Sequence, residues 1–439
     1  MDFYRSYKEL RYRVKASDLG KRMASGAIWT LLGTGIGKFM VLVSGTICAH
    51  LLTKEQYGQL GIVRSTINLF VIIGAAGLSV TATKYISEYL RKEKEHISSI
   101  YLLTNGFAFI TGLIVTIAIL LLAPFLAEKT LHSTALITPI QVGAVLLFVT
   151  VINAAQKGTL SGFEDFRSLA INGFWGSLSE SVFILIGAYY GGVLGAILGY
   201  GSGYIVLYIL NNRSIKNNLK KYNIEVTKHS FRRDDIKVLY RFSLPALLSS
   251  LMVSPTYWVI RTVLTRSAGF ESLAIFEAAS QWKLIILFIP ASVSTIVLPI
   301  LSSLSGESKD KYKRVLKVNI FFNVGLAIII AVFVILASPI IMRTYGKAYT
   351  DNTMTLILLT LSTIPQTFAQ VIGHSISSRA KVWQGLCFNL LWAFMTIAFT
   401  VLFLKVNNSP DALAAAILLA YTIHATLQFI YIRYTLLKH

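Results

Sequence analysis

The chain has 439 residues, of which 54% are hydrophobic and only 14% charged, and its mean hydropathy is +0.63. A soluble domain carries about a quarter charged residues, and a single core stops growing at roughly 250–300 residues, so the surplus apolar side chains must face lipid. This excludes a secreted enzyme, a cytosolic nucleotide-binding protein and a disordered tail, and it makes the net charge of +21 a question of loop bias rather than of nucleic acid.

A membrane-crossing helix needs about 20 apolar residues at a rise of about 1.5 Å each. The basic residues 1–24 lead into a first span near 25–48. That stretch exceeds the roughly 7–15 residues of a signal peptide and has no early cleavage site, so it reads as a membrane helix. Further spans follow near 57–81, 99–122, 135–156, 169–190 and 192–210, the last two separated only by Gly191-Gly192. After a basic stretch at 211–241 come six more, near 242–265, 272–298, 315–338, 353–376, 382–404 and 411–432. No loop exceeds roughly 30 residues, too short for a soluble domain. Cys48 and Cys387 fall in apolar stretches at opposite faces, and no disulfide is expected.

Lysine and arginine crowd the segments 1–24, 82–98, 157–168, 211–241, 299–314, 377–381 and the C-terminal tail. The intervening loops hold only Lys54, Lys129, Arg266, Arg343, Lys347 and Lys405. The positive-inside rule then places both termini in the cytoplasm. The expected fold class is an all-α integral membrane protein with twelve transmembrane helices in two six-helix halves. A pseudo-two-fold axis along the membrane normal relates the halves, 1–210 and 242–439, with 211–241 as a basic cytoplasmic linker. Glu55-Gln56-Tyr57-Gly58-Gln59-Leu60 and Glu271-Ser272-Leu273-Ala274-Ile275-Phe276 stand at equivalent places in them. Each runs from an acid to a small residue that permits close helix approach. This is the plan of an alternating-access transporter, and no filter-like segment of a channel is visible.

Charges inside spans are costly and therefore mark function. Lys38 lies roughly 20 Å into span one and Lys283 roughly 16 Å into span eight at helical rise. Arg64 and Arg261 lie nearer the outer ends of spans two and seven, where snorkelling is open to them. The acids are Glu180 in span five and Glu277 in span eight. Polar residues share the cationic faces: Thr30 and Thr34 with Lys38, Gly61 and Asn68 with Arg64, Ser250, Ser254 and Thr265 with Arg261, and Ser280 and Gln281 beside Lys283. Lys38, Arg64, Arg261 and Lys283 are the expected substrate-binding cations, with Asn68, Glu180, Glu277 and Gln281 as polar or pairing partners. A positive cavity between spans one, two, seven and eight suits a phosphate or diphosphate. The competing reading is that each cation neutralises a carboxylate or snorkels, and Arg261 with Glu277 is a structural bridge of that kind. Alanine at Lys38 or Lys283 is expected to abolish transport without unfolding the chain.

Pro245, Pro255, Pro290 and Pro299 cluster in or beside spans seven and eight, as kinks that either gate or merely bend the helices. Gly33-Thr34-Gly35-Ile36-Gly37-Lys38 resembles a phosphate loop but lacks its glycine spacing and has Phe39 where a hydroxyl belongs. Its glycines fit close helix packing better. His374 and His424 suit packing more than proton relay. No metal cluster, catalytic triad or ATP-binding motif is present, so no enzyme, metal or cofactor is expected.

Several short motifs resemble bacterial polysaccharide and O-antigen translocases of the multidrug/oligosaccharidyl-lipid/polysaccharide exporter superfamily. They are Ser25-Gly26-Ala27-Ile28-Trp29, Leu51-Leu52-Thr53-Lys54-Glu55-Gln56-Tyr57-Gly58, Gly77-Leu78 and Lys84-Tyr85-Ile86. Gly158-Thr159-Leu160-Ser161-Gly162-Phe163 and Leu298-Pro299-Ile300-Leu301 complete the set. The resemblance implies a flippase of the bacterial inner membrane that moves an undecaprenyl-diphosphate-linked oligosaccharide, an O-antigen, capsule or exopolysaccharide repeat, to the outer leaflet. It implies a lipid-linked glycan as substrate and glycan polymerase or assembly proteins as partners, with no nucleic acid. The alternatives are an ion-coupled multidrug or cation exporter of the same superfamily and a non-transporting scaffold for glycan assembly. Spans one and two lack the acid typical of the exporters.

Overall fold

The computed structural model describes residues 18–75, 77–227, 252–304, 309–378 and 381–436. Pro245, Ser250, the linker beyond Thr227, the first ten residues of the seventh expected span and the N-terminal basic residues up to Lys15 lie outside them, as do the side chains of Thr30 and Pro299. The described chain is helical throughout its length apart from short connections. The long elements are α1 (Asp18–Leu51), α2 (Lys54–Ala75), α3 (Leu78–Lys92), α4 (Glu95–Pro124), α5 (Ile137–Gly162) and α6 (Phe166–Lys221). They continue with α7 (Val253–Leu304), α8 (Lys309–Leu336), α9 (Thr353–Ser378), α10 (Val382–Val406) and α11 (Pro410–Tyr431). All but α3 contain a stretch long and apolar enough to cross a membrane, ten helices among the described residues. Leu121, Phe321, Leu336 and Phe394 are each more than 70% exposed, which only a lipid-facing surface tolerates at this density.

Two helices fold back on themselves. In α6 the backbone leaves helical dihedrals at Gly191 and at Gly192 (φ 55°, ψ −135°), the second a conformation that a side chain disfavours. The limbs on either side run antiparallel at backbone contact: Gly187 meets Gly195, Phe183 meets Gly199 and Gly176 meets Gly203. In α7 the break is at Gly269 (φ 79°, ψ 174°), again glycine geometry. The prolines do not make it, because α7 keeps helical dihedrals through Pro255 and Pro290.

The segment between spans two and three differs from the expected loop. The chain turns at Gly77 (φ 70°) and starts a separate helix, α3. Leu78, Ala82 and Ile86 on one face of α3 are fully buried, and Lys84, Glu88 and Lys92 on the other are exposed. This face packs on the end of α5, where Gly158 lies against Ser79 and Gly162 against Ile86. The reason is amphipathic burial, which average hydropathy does not register.

Helices α1 to α6 pack mainly among themselves, as do α7 to α11, and the two groups meet where α7 lies along α2 and α1. The glycines of α1 make close approaches, as expected: a Cβ at Gly33 would stand 2.7 Å from the Ala170 Cα, and one at Gly37 would stand 2.7 Å from the Ser177 Oγ. Gly58, in the first of the two matched segments, abuts the carbonyl of Phe270, the residue just before the second. At this end of the bundle His50 Nε2 donates to the Thr344 carbonyl oxygen at 2.7 Å. The Tyr57 and Tyr349 rings meet edge to face at 6.4 Å, and the Lys54 ammonium lies 5.7 Å from the Tyr349 ring centre.

Candidate functional site

The meeting of α1, α2 and α7 leaves two chambers with a common wall of Val41, Gln281 and Leu284. The larger, about 690 Å³, runs between α1, α5 and α6, toward the end of the bundle that carries Phe166 and Asn211. The smaller, about 440 Å³, lies between α2 and α7 and is backed by Gln366 of α9. Both are within the range of small-molecule sites, about 300–1,000 Å³.

The cations singled out in the sequence are divided between them. Lys38 lines the larger chamber, with its ammonium 5.8 Å from the Phe288 ring centre and no carboxylate partner among the described residues. Lys157 lines the same chamber from α5. Sequence reading assigned Lys157 to a loop because it lies in the last polar turns of a span. In the structure α5 stays helical to Gly162, and Lys157 joins Lys38 in a chamber that no described carboxylate lines. Two like charges without a described carboxylate beside them have the chemistry to hold an anion. Two opposite unit charges about 4 Å apart attract by roughly 1 kcal/mol in water and roughly 4 kcal/mol at an effective dielectric near 20.

The smaller chamber holds Arg64, Arg261 and Lys283, each already engaged. Arg64 Nη2 donates to Glu180 Oε1 at 3.2 Å, and its guanidinium carbon lies 4.5 Å from the Tyr200 ring centre. Arg261 is ion-paired through Nε with Glu277, its carboxylate admitted by the absence of a side chain at Gly61. The Arg261–Glu277 bridge raised by the sequence is therefore present. Lys283, only 4% exposed, donates from Nζ to Tyr257 Oη at 3.0 Å and sits 5.0 Å from the Tyr421 ring centre. Aromatic faces can hold a partly desolvated ammonium in this way. Asn68 lines the chamber and is exposed within it. Gln281 donates from Nε2 to Tyr57 Oη at 2.5 Å. Sequence reasoning missed Tyr57, Tyr257, Tyr421 and Gln366, because one tyrosine or glutamine in an apolar span carries no spacing signal.

Among the described residues, no histidine or cysteine lines these chambers. His424 is 5% exposed and faces the Nε2 of Gln428 at 2.9 Å. Cys48 is buried and Cys387 exposed, both as free thiols. Among the described residues no three His, Cys, Asp or Glu side chains gather into a metal site.

An all-helical bundle with a polar interior and a lipid-facing exterior defines a multi-pass membrane protein, and the solved structures it resembles are transporters. It superposes on a multidrug resistance MATE family transporter of the MOP superfamily in an inward-facing conformation with a TM-score of 0.82, over 94% of this chain and 99% of that one, at 18% identity. At the level of sequence, residues 23–305 match the family described as polysaccharide biosynthesis protein, and the chain belongs to that family. It is 21% identical to the EPS I polysaccharide export inner membrane protein EpsE of Ralstonia solanacearum, over 87% of each chain. It is 25% identical to the Lipid III flippase of Escherichia coli (strain K12), over 67% of this chain and 70% of that protein.

Proposed function

We propose that the chain is a flippase that carries an undecaprenyl-diphosphate-linked oligosaccharide from the inner to the outer leaflet by alternating access. The observation that carries this reading is the larger chamber, whose two cations, Lys38 and Lys157, have no described carboxylate beside them. A diphosphate brings the missing negative charge and several strong acceptors, and charge-assisted bonds to it are roughly twice as strong as neutral ones. The names of the relatives, a polysaccharide export inner membrane protein and a Lipid III flippase, support the substrate class. The same chamber disfavours the cation-exporter alternative, since Lys38 and Lys157 repel a cationic cargo. The likeness to a multidrug transporter is one of fold, and fold alone does not carry substrate.

In this reading the folded-back helices α6 and α7 each cross the membrane twice, which brings the ten long helices to twelve crossings. The halves are 1–210 and 242–439, related by an axis along the membrane normal and joined by 211–241, with both termini in the cytoplasm of a bacterial cell. The larger chamber opens to the cytoplasm. The contacts of His50 with Thr344 and of Tyr57 and Lys54 with Tyr349 close the outer end. Lys38 and Lys157 take the diphosphate, and Lys283, Arg64 and Arg261 line the way onward. The lipid tail stays in the bilayer, and glycan polymerase or assembly proteins receive the product.

Deletion of the encoding gene in a cell that makes a surface polysaccharide is the genetic test. Surface glycan is expected to disappear while lipid-linked oligosaccharide accumulates on the cytoplasmic side. Wild-type surface glycan in the deletion strain would contradict the assignment.

A further inference from the structure

The two chambers differ in how far their cations are matched by carboxylates. The larger one holds two cations without a described carboxylate, Lys38 and Lys157, beside the buried, unpartnered Oδ1 of Asn153. In the smaller one the arginines are taken up by Glu180 and Glu277, and Lys283 is turned onto Tyr257. Apart from the Lys283 ammonium, the polar groups that remain there are neutral. The Oε1 atoms of Gln281 and Gln366 are buried without a hydrogen-bond partner, and Ser65 and Asn68 line the same space. The Tyr57 and Tyr257 rings form part of its wall. Buried acceptors without partners are rare, because each one left unmade is costly. Neutral acceptors beside aromatic faces match a ligand that is rich in hydroxyl donors and carries apolar C–H faces.

We infer that the smaller chamber is a binding site for the uncharged hydroxylated sugars of the cargo, separate from the diphosphate site in the larger chamber. Gln281 and Gln366 are its specificity-determining residues. The inference rests on the flippase reading. Gln281 borders both chambers, so a diphosphate held at Lys38 and a sugar in the smaller chamber meet at this residue. Its amide nitrogen is fixed by the bond to Tyr57, and its carbonyl oxygen, packed beside Gly45, has no partner of its own. Gln366 reaches the same space from α9. The charged part of the substrate is then recognised by helices of the first group, and the glycan largely by α7 and α9 of the second.

The test measures binding to the full chain in lipid nanodiscs with two kinds of probe: bare undecaprenyl diphosphate, and undecaprenyl diphosphate bearing each of three oligosaccharides of different composition. The wild type is expected to bind at least one glycan-bearing probe about tenfold more tightly than the bare lipid, as one or two added hydrogen bonds provide. Gln281→Leu/Gln366→Leu should bring this preference close to one. Gln366→Leu alone, which leaves the Gln281–Tyr57 bond in place, should reduce it and guards against a double variant that does not fold. Lys38→Ala/Lys157→Ala should weaken every probe while the preference persists. A wild type that binds the bare lipid but shows no preference for any glycan overturns the sugar site and leaves the flippase reading standing. So does an undiminished preference in the Gln366→Leu variant. A wild type that binds none of the probes overturns the flippase reading and the sugar site with it.

Discussion

Replacing Lys38 and Lys157 together by alanine is expected to slow transfer of a polyprenyl-diphosphate oligosaccharide between leaflets by at least about 100-fold. Hydrogen bonds to a charged group are worth about 1.5–3 kcal/mol each, and each 1.4 kcal/mol is about tenfold. Loss of one bond from each lysine therefore removes about two to four orders of magnitude. Folding should be little affected. Neither lysine has a carboxylate partner among the described residues, and both border open space, so their removal relieves repulsion and strands no buried charge. The check is transfer in proteoliposomes beside a thermal unfolding curve for the same preparation. Transfer within twofold of wild type would assign the two lysines to topology alone.

Glu277→Ala should have the opposite profile, a large loss of stability. It leaves the Arg261 guanidinium, 16% exposed, without its partner against the Phe276 and Tyr257 rings. Removing one member of a buried pair costs about 3–5 kcal/mol, whereas replacing both with apolar residues of similar volume is often nearly neutral. The unfolding midpoint in detergent is expected to fall on the order of 5–10 °C in Glu277→Ala. The double variant Arg261→Met/Glu277→Leu should recover most of that loss. An unchanged midpoint in the single variant, or a double variant as unstable as the single, would show that the pair does not hold the two limbs of α7 together.

Composition and cation placement alone identify a polytopic membrane protein, because lipid exposure and charge bias act on whole segments. The fold-back in α6 was legible as well, since Gly191-Gly192 falls midway through about 40 largely apolar residues and a chain that long must turn to remain in the membrane. The Arg261–Glu277 bridge was legible because the two residues lie close in sequence on either side of the α7 break. Arg64 and Glu180 were both visible, but their pairing was not. They are 116 positions apart, and only the packing of α2 on α6 brings them together. Lys157 was misread for a different reason: hydropathy marks where a span stops being apolar, not where its helix ends. The presence of two chambers was likewise hidden. It depends on which faces of α1, α2 and α7 touch, and single-sequence periodicity leaves that open. Helix α3 escaped notice because half of its residues are polar and its burial is on protein rather than lipid.

The most direct test of the central claim is leaflet transfer by the purified chain itself. Proteoliposomes are loaded with a fluorescent polyprenyl-diphosphate oligosaccharide, and the fraction open to an added glycan-degrading enzyme is followed over time. The flippase reading predicts that label initially protected in the inner leaflet becomes cleavable with the wild-type chain and stays protected in protein-free vesicles. Protection that persists with the wild-type chain, when the same lipid is cleaved fully after detergent is added, would contradict it.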